Sequence, residues 1–150
     1  MNKNIRLLFI VAVAASLLIA FFARAPFQSG ASAAQDRAAL AFTDVIKQSL
    51  SDPELKDYEM VSRLMAVPPG FADHVRHRHD AELFGYVIEG EVEIQLADRP
   101  NATYRQGQMF YEPRNAVHSL LRNQSQEKPA KVLLLFIAKK GRSLYTAEKQ

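Results

Sequence analysis

The sequence has no cysteine among its 150 residues, so no disulfide bond can stabilise the folded chain. It also has no run of basic residues, and its Lys and Arg residues are dispersed among Asp and Glu. This charge pattern does not indicate a nucleic-acid-binding protein. The sequence contains neither an internal repeat nor a low-complexity segment. A chain of this length can bury enough apolar surface to fold as one domain, so a hydrophobic core must provide most of its stability.

A long uncharged apolar run lies at the amino terminus. Leu7 to Phe22 carries no charge and follows Lys3 and Arg6, which is the form of an export signal. Ala31-Ser32-Ala33 offers small residues to a signal peptidase, so we interpret residues 1–33 as a signal peptide. The alternative is an uncleaved hydrophobic helix that anchors the chain in a membrane. Either interpretation places the rest of the chain outside the cytoplasm, periplasmic or secreted, because the positive charge precedes the apolar run.

The positive net charge of the whole chain comes from this leader. Three of the 19 basic residues precede Ala34, whereas all 16 acidic residues follow it. Sixteen residues of each sign therefore remain after the leader, and the net charge of that part is zero. We expect no nucleic-acid partner, and contact with a membrane only through the amino-terminal segment.

All four histidines of the chain fall in two short stretches. His74, His77 and His79 lie in the first stretch and His118 lies in the second. Residues two apart on a strand project from one face, so His77 and His79 can direct their imidazoles to one point. Neutral imidazole is a common ligand for zinc, iron, copper and nickel, although a single His-x-His pair also occurs on solvated surfaces. His74 has the opposite strand parity and is expected at the surface or behind a ligand.

The histidines belong to two ordered motifs that resemble those of the cupin superfamily. Residues 68–90 contain, in order, a glycine, His77-Arg78-His79, a carboxylate and a closing Gly90. Residues 107–123 contain a glycine, five residues, Pro113, a turn and then His118. Asn115 replaces the usual glycine of that turn, and asparagine tolerates the positive φ that the turn needs. The resemblance covers about Phe42 to Leu144 and implies a small single-domain cupin of the type-2 kind.

This resemblance implies an all-β fold, an antiparallel double-sheet jelly-roll barrel over residues 42–144, preceded by the hydrophobic helix of the leader. Residues 34–41 would then be a linker, and residues 145–150 a carboxyl-terminal tail. The sequence agrees, because many short β-rich stretches are separated by turn signals and no strong amphipathic helix follows Leu50. Val132 to Ala138 is almost wholly apolar and predicts an interior strand.

Two stretches need separate interpretation. Phe84 to Gln95 reads as a β-hairpin, with two β-branched runs hinged at Glu89-Gly90. Ala38 to Leu50 is ambiguous, because Ala41, Val45 and Leu50 could line a helix, whereas the resembled family has an early strand in this region.

The resemblance also implies a set of metal ligands, His77, His79 and His118. The family's glutamate falls at the position of Leu83, so Glu82 is one residue early. Regular alternation would place Leu83 on the histidine face and Glu82 on the opposite face. A break in alternation at the Asp80-Ala81 turn would bring Glu82 inward, so Glu82 is retained as a candidate ligand. The cofactor would be a divalent transition metal, with Fe, Mn, Zn and Ni all allowed.

Two functional hypotheses follow for such a barrel. The first is a metal-dependent oxygenase or isomerase that acts on a small organic molecule. The second is a non-catalytic small-molecule-binding or sensor module of the cell envelope. A polar side chain near the metal would favour the enzyme, and Tyr111, Glu112 and Gln95 are the nearest candidates by sequence. The predicted pocket residues are Met65, Phe84, Tyr86, Gln95, Met109 and Tyr111.

The resemblance further implies a homodimer, because small cupins commonly pair through sheet edges and an amino-terminal strand. Phe42 to Leu50 is the expected contact, and pairing there would cover an edge strand that is otherwise prone to aggregation. A monomer tethered by its leader is the alternative.

Overall fold

The computed structural model of the chain describes residues 39–97 and 99–149. The expected signal peptide or membrane helix, and most of the expected linker, lie outside these residues. Within them, the one helical element is a 3-10 turn at Pro53–Leu55. The same part of the chain contains no helix that is long and apolar enough to cross a membrane.

The described residues form β-strands connected by short turns. The strands are β1 (Ala41–Ser49), β2 (Tyr58–Val67), β3 (Ala72–Asp73), β4 (His77–Arg78), β5 (Glu82–Glu89), β6 (Glu91–Leu96), β7 (Ala102–Arg105), β8 (Met109–Glu112), β9 (Val117–Arg122), β10 (Ala130–Lys139) and β11 (Thr146–Ala147). They build two sheets, one in the order β1-β2-β10-β5-β8 and the other in the order β11-β4-β9-β6-β7, with β3 also paired to β9. Every ladder is antiparallel. The prediction of an all-β fold with two antiparallel sheets is confirmed.

The core lies where strands of both sheets turn their apolar residues inward. Strand β10 alternates between buried and less buried residues, and its inward side chains include Val132, Leu134 and Phe136. It pairs with β2 on one side and β5 on the other. The interior position predicted for this apolar stretch is therefore confirmed, because a strand between two neighbours needs no polar edge.

The predictions for residues 38–50 and for residues 84–95 have different outcomes. Ala41–Ser49 is strand β1, at the edge of the five-stranded sheet. The predicted hairpin at Glu89-Gly90 is wrong, because β5 pairs with β10 and β8 whereas β6 pairs with β9 and β7. Gly90, at φ +73°, carries the chain from one sheet to the other. Alternation and turn residues identify two adjacent strands, but they do not tell whether the second strand folds back on the first.

Candidate metal centre

One strand pair and the turn after it bring the three predicted histidine ligands together. His77 on β4 lies directly opposite His118 on β9 in an antiparallel register, and their ring centroids are 4.9 Å apart. The ring centroid of His79 lies 5.0 Å from that of His77. One ring nitrogen from each of the three residues lies within 4.8 Å of the others. The fourth histidine, His74, is exposed and is not part of this group.

Each of the three imidazoles is oriented by a backbone carbonyl. His77 Nδ1 lies 2.8 Å from the Val75 oxygen, His79 Nδ1 lies 2.5 Å from the Leu144 oxygen, and His118 Nε2 lies 2.5 Å from the Leu120 oxygen. A carbonyl oxygen can only accept, so these nitrogens donate and the other nitrogen of each neutral ring keeps its lone pair. Ligand histidines in metal sites are commonly held in this way.

Burial keeps two of these rings neutral. His118 is 6% exposed, and burial lowers its pKa to about 4, even though its hydrogen bond to Leu120 acts in the opposite direction. Burial also lowers the pKa of His79. Only a neutral imidazole has a free lone pair for a metal. The rings of His79 and His118 are therefore in the binding form at neutral pH.

A buried carboxyl group lies beside the three rings. Glu112, on β8, is 2% exposed. Its Oε1 is 3.4 Å from His118 Nδ1 and its Oε2 is 3.7 Å from His79 Nε2. Oε2 has no hydrogen-bond partner among the described residues, which is unusual for a buried polar atom. Glu112 is outside the group of ligand atoms that all lie within 4.8 Å of one another, which consists of the three histidines. Three imidazoles, with a carboxyl group beside two of them, are a donor set that fits a divalent transition metal.

Because Glu112 and His118 are buried, we expect the stability of the metal-free protein to depend on pH. Burial raises the pKa of Glu112 to about 7, so the folded chain keeps a proton that the unfolded chain releases from about pH 4.5 upward. The wild-type free energy of unfolding should therefore lose about 3 kcal/mol from this group as the pH rises through that window. His118 acts in the opposite direction, since its folded pKa is lowered and its contribution is lost as the pH falls from about 6.5 to 4.

The Glu112→Gln variant separates the pH dependence that comes from Glu112 from the one that comes from His118. It lacks the carboxyl contribution, so from pH 5 to pH 7.5 its stability should rise by about 2 kcal/mol relative to wild type. Urea denaturation of both proteins in the presence of a chelator measures this difference. An equal pH dependence in the two proteins would show that Glu112 is not held as a protonated acid.

A cavity of about 310 Å³ opens beside the histidines. Apolar side chains form most of its wall, and the polar members are Arg63, Asp73, His77, His79, Glu112, His118 and Tyr145. Arg63 faces inward because it has the same strand parity as buried Val61 and Met65. Its Nε lies 2.8 Å from Oδ1 of Asp44. A largely apolar cavity with a few convergent polar groups is the usual form of a small-molecule site.

The carboxyl-terminal segment, expected to be a tail, forms one wall of this cavity. The Tyr145 ring stacks on the His77 ring with centroids 4.6 Å apart. Strand β11 pairs with β4 beside it, and the preceding Leu144 supplies the carbonyl that orients His79. No pattern in the sequence predicts this placement, because a two-residue strand has no recognisable periodicity.

Five of the six predicted pocket residues lie elsewhere. Met65 lines the cavity, but Phe84, Tyr86, Gln95, Met109 and Tyr111 do not. On β8 the inward residues are Phe110 and Glu112, so Met109 and Tyr111 lie on the exposed outer face. Phe84 and Tyr86 lie on the outer face of β5 for the same reason. Gln95 accepts a hydrogen bond from the Ser119 hydroxyl. The two-residue period of strands accounts for all four of the misplaced β5 and β8 residues.

Glu82, the remaining candidate ligand, is not in the histidine group. Its Oε2 accepts hydrogen bonds from the Tyr111 hydroxyl at 2.5 Å and from the Arg114 backbone N–H at 3.3 Å. Leu83 is 2% exposed and lines the cavity instead. Strand β5 alternates regularly from its first residue, so the Asp80-Ala81 turn does not bring Glu82 inward. Of the three polar candidates near the metal, only Glu112 reaches the cavity.

Comparison with known proteins shows which family part of this chain is similar to. Residues 63–136 match the family model for the cupin domain. The match spans β2 to β10 and includes all three histidines, so the resemblance to the cupin superfamily seen in the motifs is supported over this region. A search of the curated proteins finds no match.

Solved structures show the same fold at low sequence identity. A protein with a double-stranded β-helix domain from Klebsiella pneumoniae is 16% identical with a TM-score of 0.54, and the match covers 74% of this chain and 85% of that one. A cupin superfamily protein from Desulfitobacterium hafniense is 12% identical with a TM-score of 0.51, over 67% and 79% of the two chains. The DMSP lyase DddQ from Ruegeria pomeroyi is 20% identical with a TM-score of 0.50, over 56% of this chain. This chain spans 41% of the length of that lyase.

Proposed function

We propose that this chain is an exported metal-binding cupin protein that acts as a metal-dependent enzyme, an oxygenase or isomerase, on a small organic molecule. The observation that carries the proposal is the convergence of three oriented imidazoles, His77, His79 and His118, on one cavity. A divalent transition metal held by these residues would supply Lewis-acid or redox chemistry to a bound molecule.

In this proposal, the side chains around the histidines bind the small organic molecule and orient it. Phe42, Phe110 and Phe136 contribute apolar surface to the cavity wall, which excludes water from an apolar part of the ligand. Arg63 offers a guanidinium on the same wall, suited to a carboxylate or another anionic group of the ligand. Tyr145 covers His77 and limits the approach of the ligand to the open part of the cavity.

Polar groups in this wall favour an enzyme over a simple carrier. Arg63 and Tyr145 line the cavity in addition to the histidines, so the site is not wholly apolar. One structural neighbour is named as a DMSP lyase, which favours the same choice. The second candidate function, a non-catalytic binding or sensor module, is supported by the mostly apolar wall.

A metabolite-turnover experiment tests the enzyme proposal. Full-length protein loaded with Fe²⁺, Mn²⁺, Ni²⁺ or Zn²⁺ is incubated in air with a bacterial small-molecule extract, and the extract is compared by mass spectrometry before and after. Conversion of one compound by wild type but not by His118→Ala is the expected result. A compound that is retained on the protein and released unchanged would instead establish the carrier.

The proposal of export rests on the sequence of the leader alone. Lys3, Arg6 and the uncharged run to Phe22 precede small residues at Ala31 and Ala33, in the order that export signals show. Fractionation of cells that express the full chain tests it, together with amino-terminal sequencing of the product. Recovery outside the cytoplasm with an amino terminus at Ala34 is the expected result, and recovery in the cytoplasm would contradict export.

We also propose that the protein is a homodimer that pairs through β1. This strand lies at the sheet edge and exposes the apolar side chains of Phe42, Val45 and Ile46. Light scattering of the wild type at micromolar concentration should give twice the monomer mass, and Ile46→Lys should shift it towards monomer. Ile88→Lys, at a similarly exposed position on β5, is the matched control and should leave the mass unchanged. A monomeric wild type would contradict the proposal.

A further inference from the structure

In this chain, the position that cupins give to their motif glutamate lies directly opposite a buried carboxyl group. Leu83 occupies that position on β5, and its direct cross-strand partner on β8 is Glu112. Both residues are inward and 2% exposed, and both line the cavity with the histidines. Side chains of directly opposed residues on one face lie about 5 Å apart at their Cβ atoms. A carboxylate on either strand could therefore reach the same region of the cavity.

The carboxyl oxygens of Glu112 also lie next to the histidine nitrogens that are free to bind a metal. Oε1 approaches His118 Nδ1 at 3.4 Å, and Oε2 approaches His79 Nε2 at 3.7 Å. These two nitrogens are the ones that the backbone carbonyls leave free. The carboxyl group thus lies beside the free ring nitrogens of two of the three histidines.

A purely structural role for Glu112 explains these contacts poorly. Its Oε2 is buried and has no hydrogen-bond partner among the described residues. Burying such an oxygen costs free energy unless something pairs with it. A leucine would fill this position without that cost, so the carboxyl group is best explained by a cation.

We propose that Glu112 is the carboxylate ligand of this metal centre, and that it supplies from β8 the group that other cupins supply from β5. The inference rests on the proposed metal-binding function, and it replaces Glu82 as the fourth donor. Glu82 is already held on the outer face by Tyr111 and Arg114.

The test uses Co²⁺ alone as the probe, because its visible absorption spectrum reports the ligands around it. Full-length protein is stripped with a chelator and titrated with Co²⁺. The Glu112→Gln variant keeps the size of the side chain and removes its charge. It should bind Co²⁺ at least about 10-fold more weakly than wild type and give a changed spectrum. Glu82→Gln is the matched control and should bind Co²⁺ with wild-type affinity and spectrum.

A carboxylate swap keeps the test independent of folding defects. Leu83→Glu in the Glu112→Leu background moves the carboxylate across the strand pair to the usual family position. This double variant should recover most of the Co²⁺ affinity that Glu112→Leu loses. Wild-type affinity and spectrum in Glu112→Gln would overturn the inference, as would weaker binding with an unchanged spectrum. A wild-type protein that binds no Co²⁺ would instead overturn the metal-binding function itself.

Discussion

Replacing His118 by alanine should remove most of the metal that the protein binds. His118 is the donor from β9, and its partner across the ladder is His77. Its loss leaves two of the three imidazoles in the group. We expect the affinity for Zn²⁺ to fall more than about 100-fold, the upper end of the loss seen when only a supporting group is removed. Titration calorimetry of metal-free protein measures this loss.

Two control variants define the specificity of that effect. His74→Ala removes a histidine that is exposed and outside the cluster, so it should leave Zn²⁺ affinity unchanged. Glu82→Ala removes a carboxylate that faces outward, and it should have a much smaller effect than His118→Ala. An equal loss in Glu82→Ala and His118→Ala would mean that β5 is bulged at Asp80-Ala81 and that Glu82 is a ligand.

Gly85→Ala should be among the most destabilising single substitutions in the barrel. A Cβ atom at Gly85 would lie 1.9 Å from Cζ of Phe110, its cross-strand partner. Phe110 is 4% exposed and belongs to the core, so its ring has little room to move. Forcing extra atoms into a packed core costs about 1 to 3 kcal/mol and occasionally more, and we expect a loss of about 3 kcal/mol in urea denaturation.

The double variant Gly85→Ala, Phe110→Leu tests the cause of this loss. If the clash with the ring is responsible, the two substitutions together should cost clearly less than the sum of their separate costs. Gly107→Ala provides a comparison, since a Cβ there would meet no atom within 4 Å and only the strain of its positive φ remains. A loss below about 1 kcal/mol in Gly85→Ala would contradict the close packing of β5 against β8.

The features that the sequence predicts well are those with a local physical cause. Strand alternation and turn residues are properties of neighbouring residues, so the all-β fold and the interior position of β10 follow from them. The outward position of Glu82 follows from the same alternation. The His77-Arg78-His79 pattern also has a local cause, because its two imidazoles share one side of an extended chain.

The features that the sequence does not predict depend on which strands become neighbours. The hairpin at Glu89-Gly90 is wrong because β5 and β6 enter different sheets. The sequence offers Glu112 as a candidate for polar chemistry, but its place opposite Leu83 depends on the register between strands that are far apart in sequence. The position of Tyr145 also depends on distant pairing, because this residue reaches His77 only after the chain has passed through both sheets. Such pairings are set by packing of the whole barrel and leave no local pattern.

The most direct test of the metal centre is elemental analysis of the full-length protein purified without chelator. A site built from His77, His79 and His118 should retain close to one transition-metal ion per chain, and the identity of that ion separates redox from Lewis-acid chemistry. The variant with all three histidines replaced by alanine should contain none. An absence of metal in the wild type, or the same metal content in both proteins, would contradict a metal centre at these histidines.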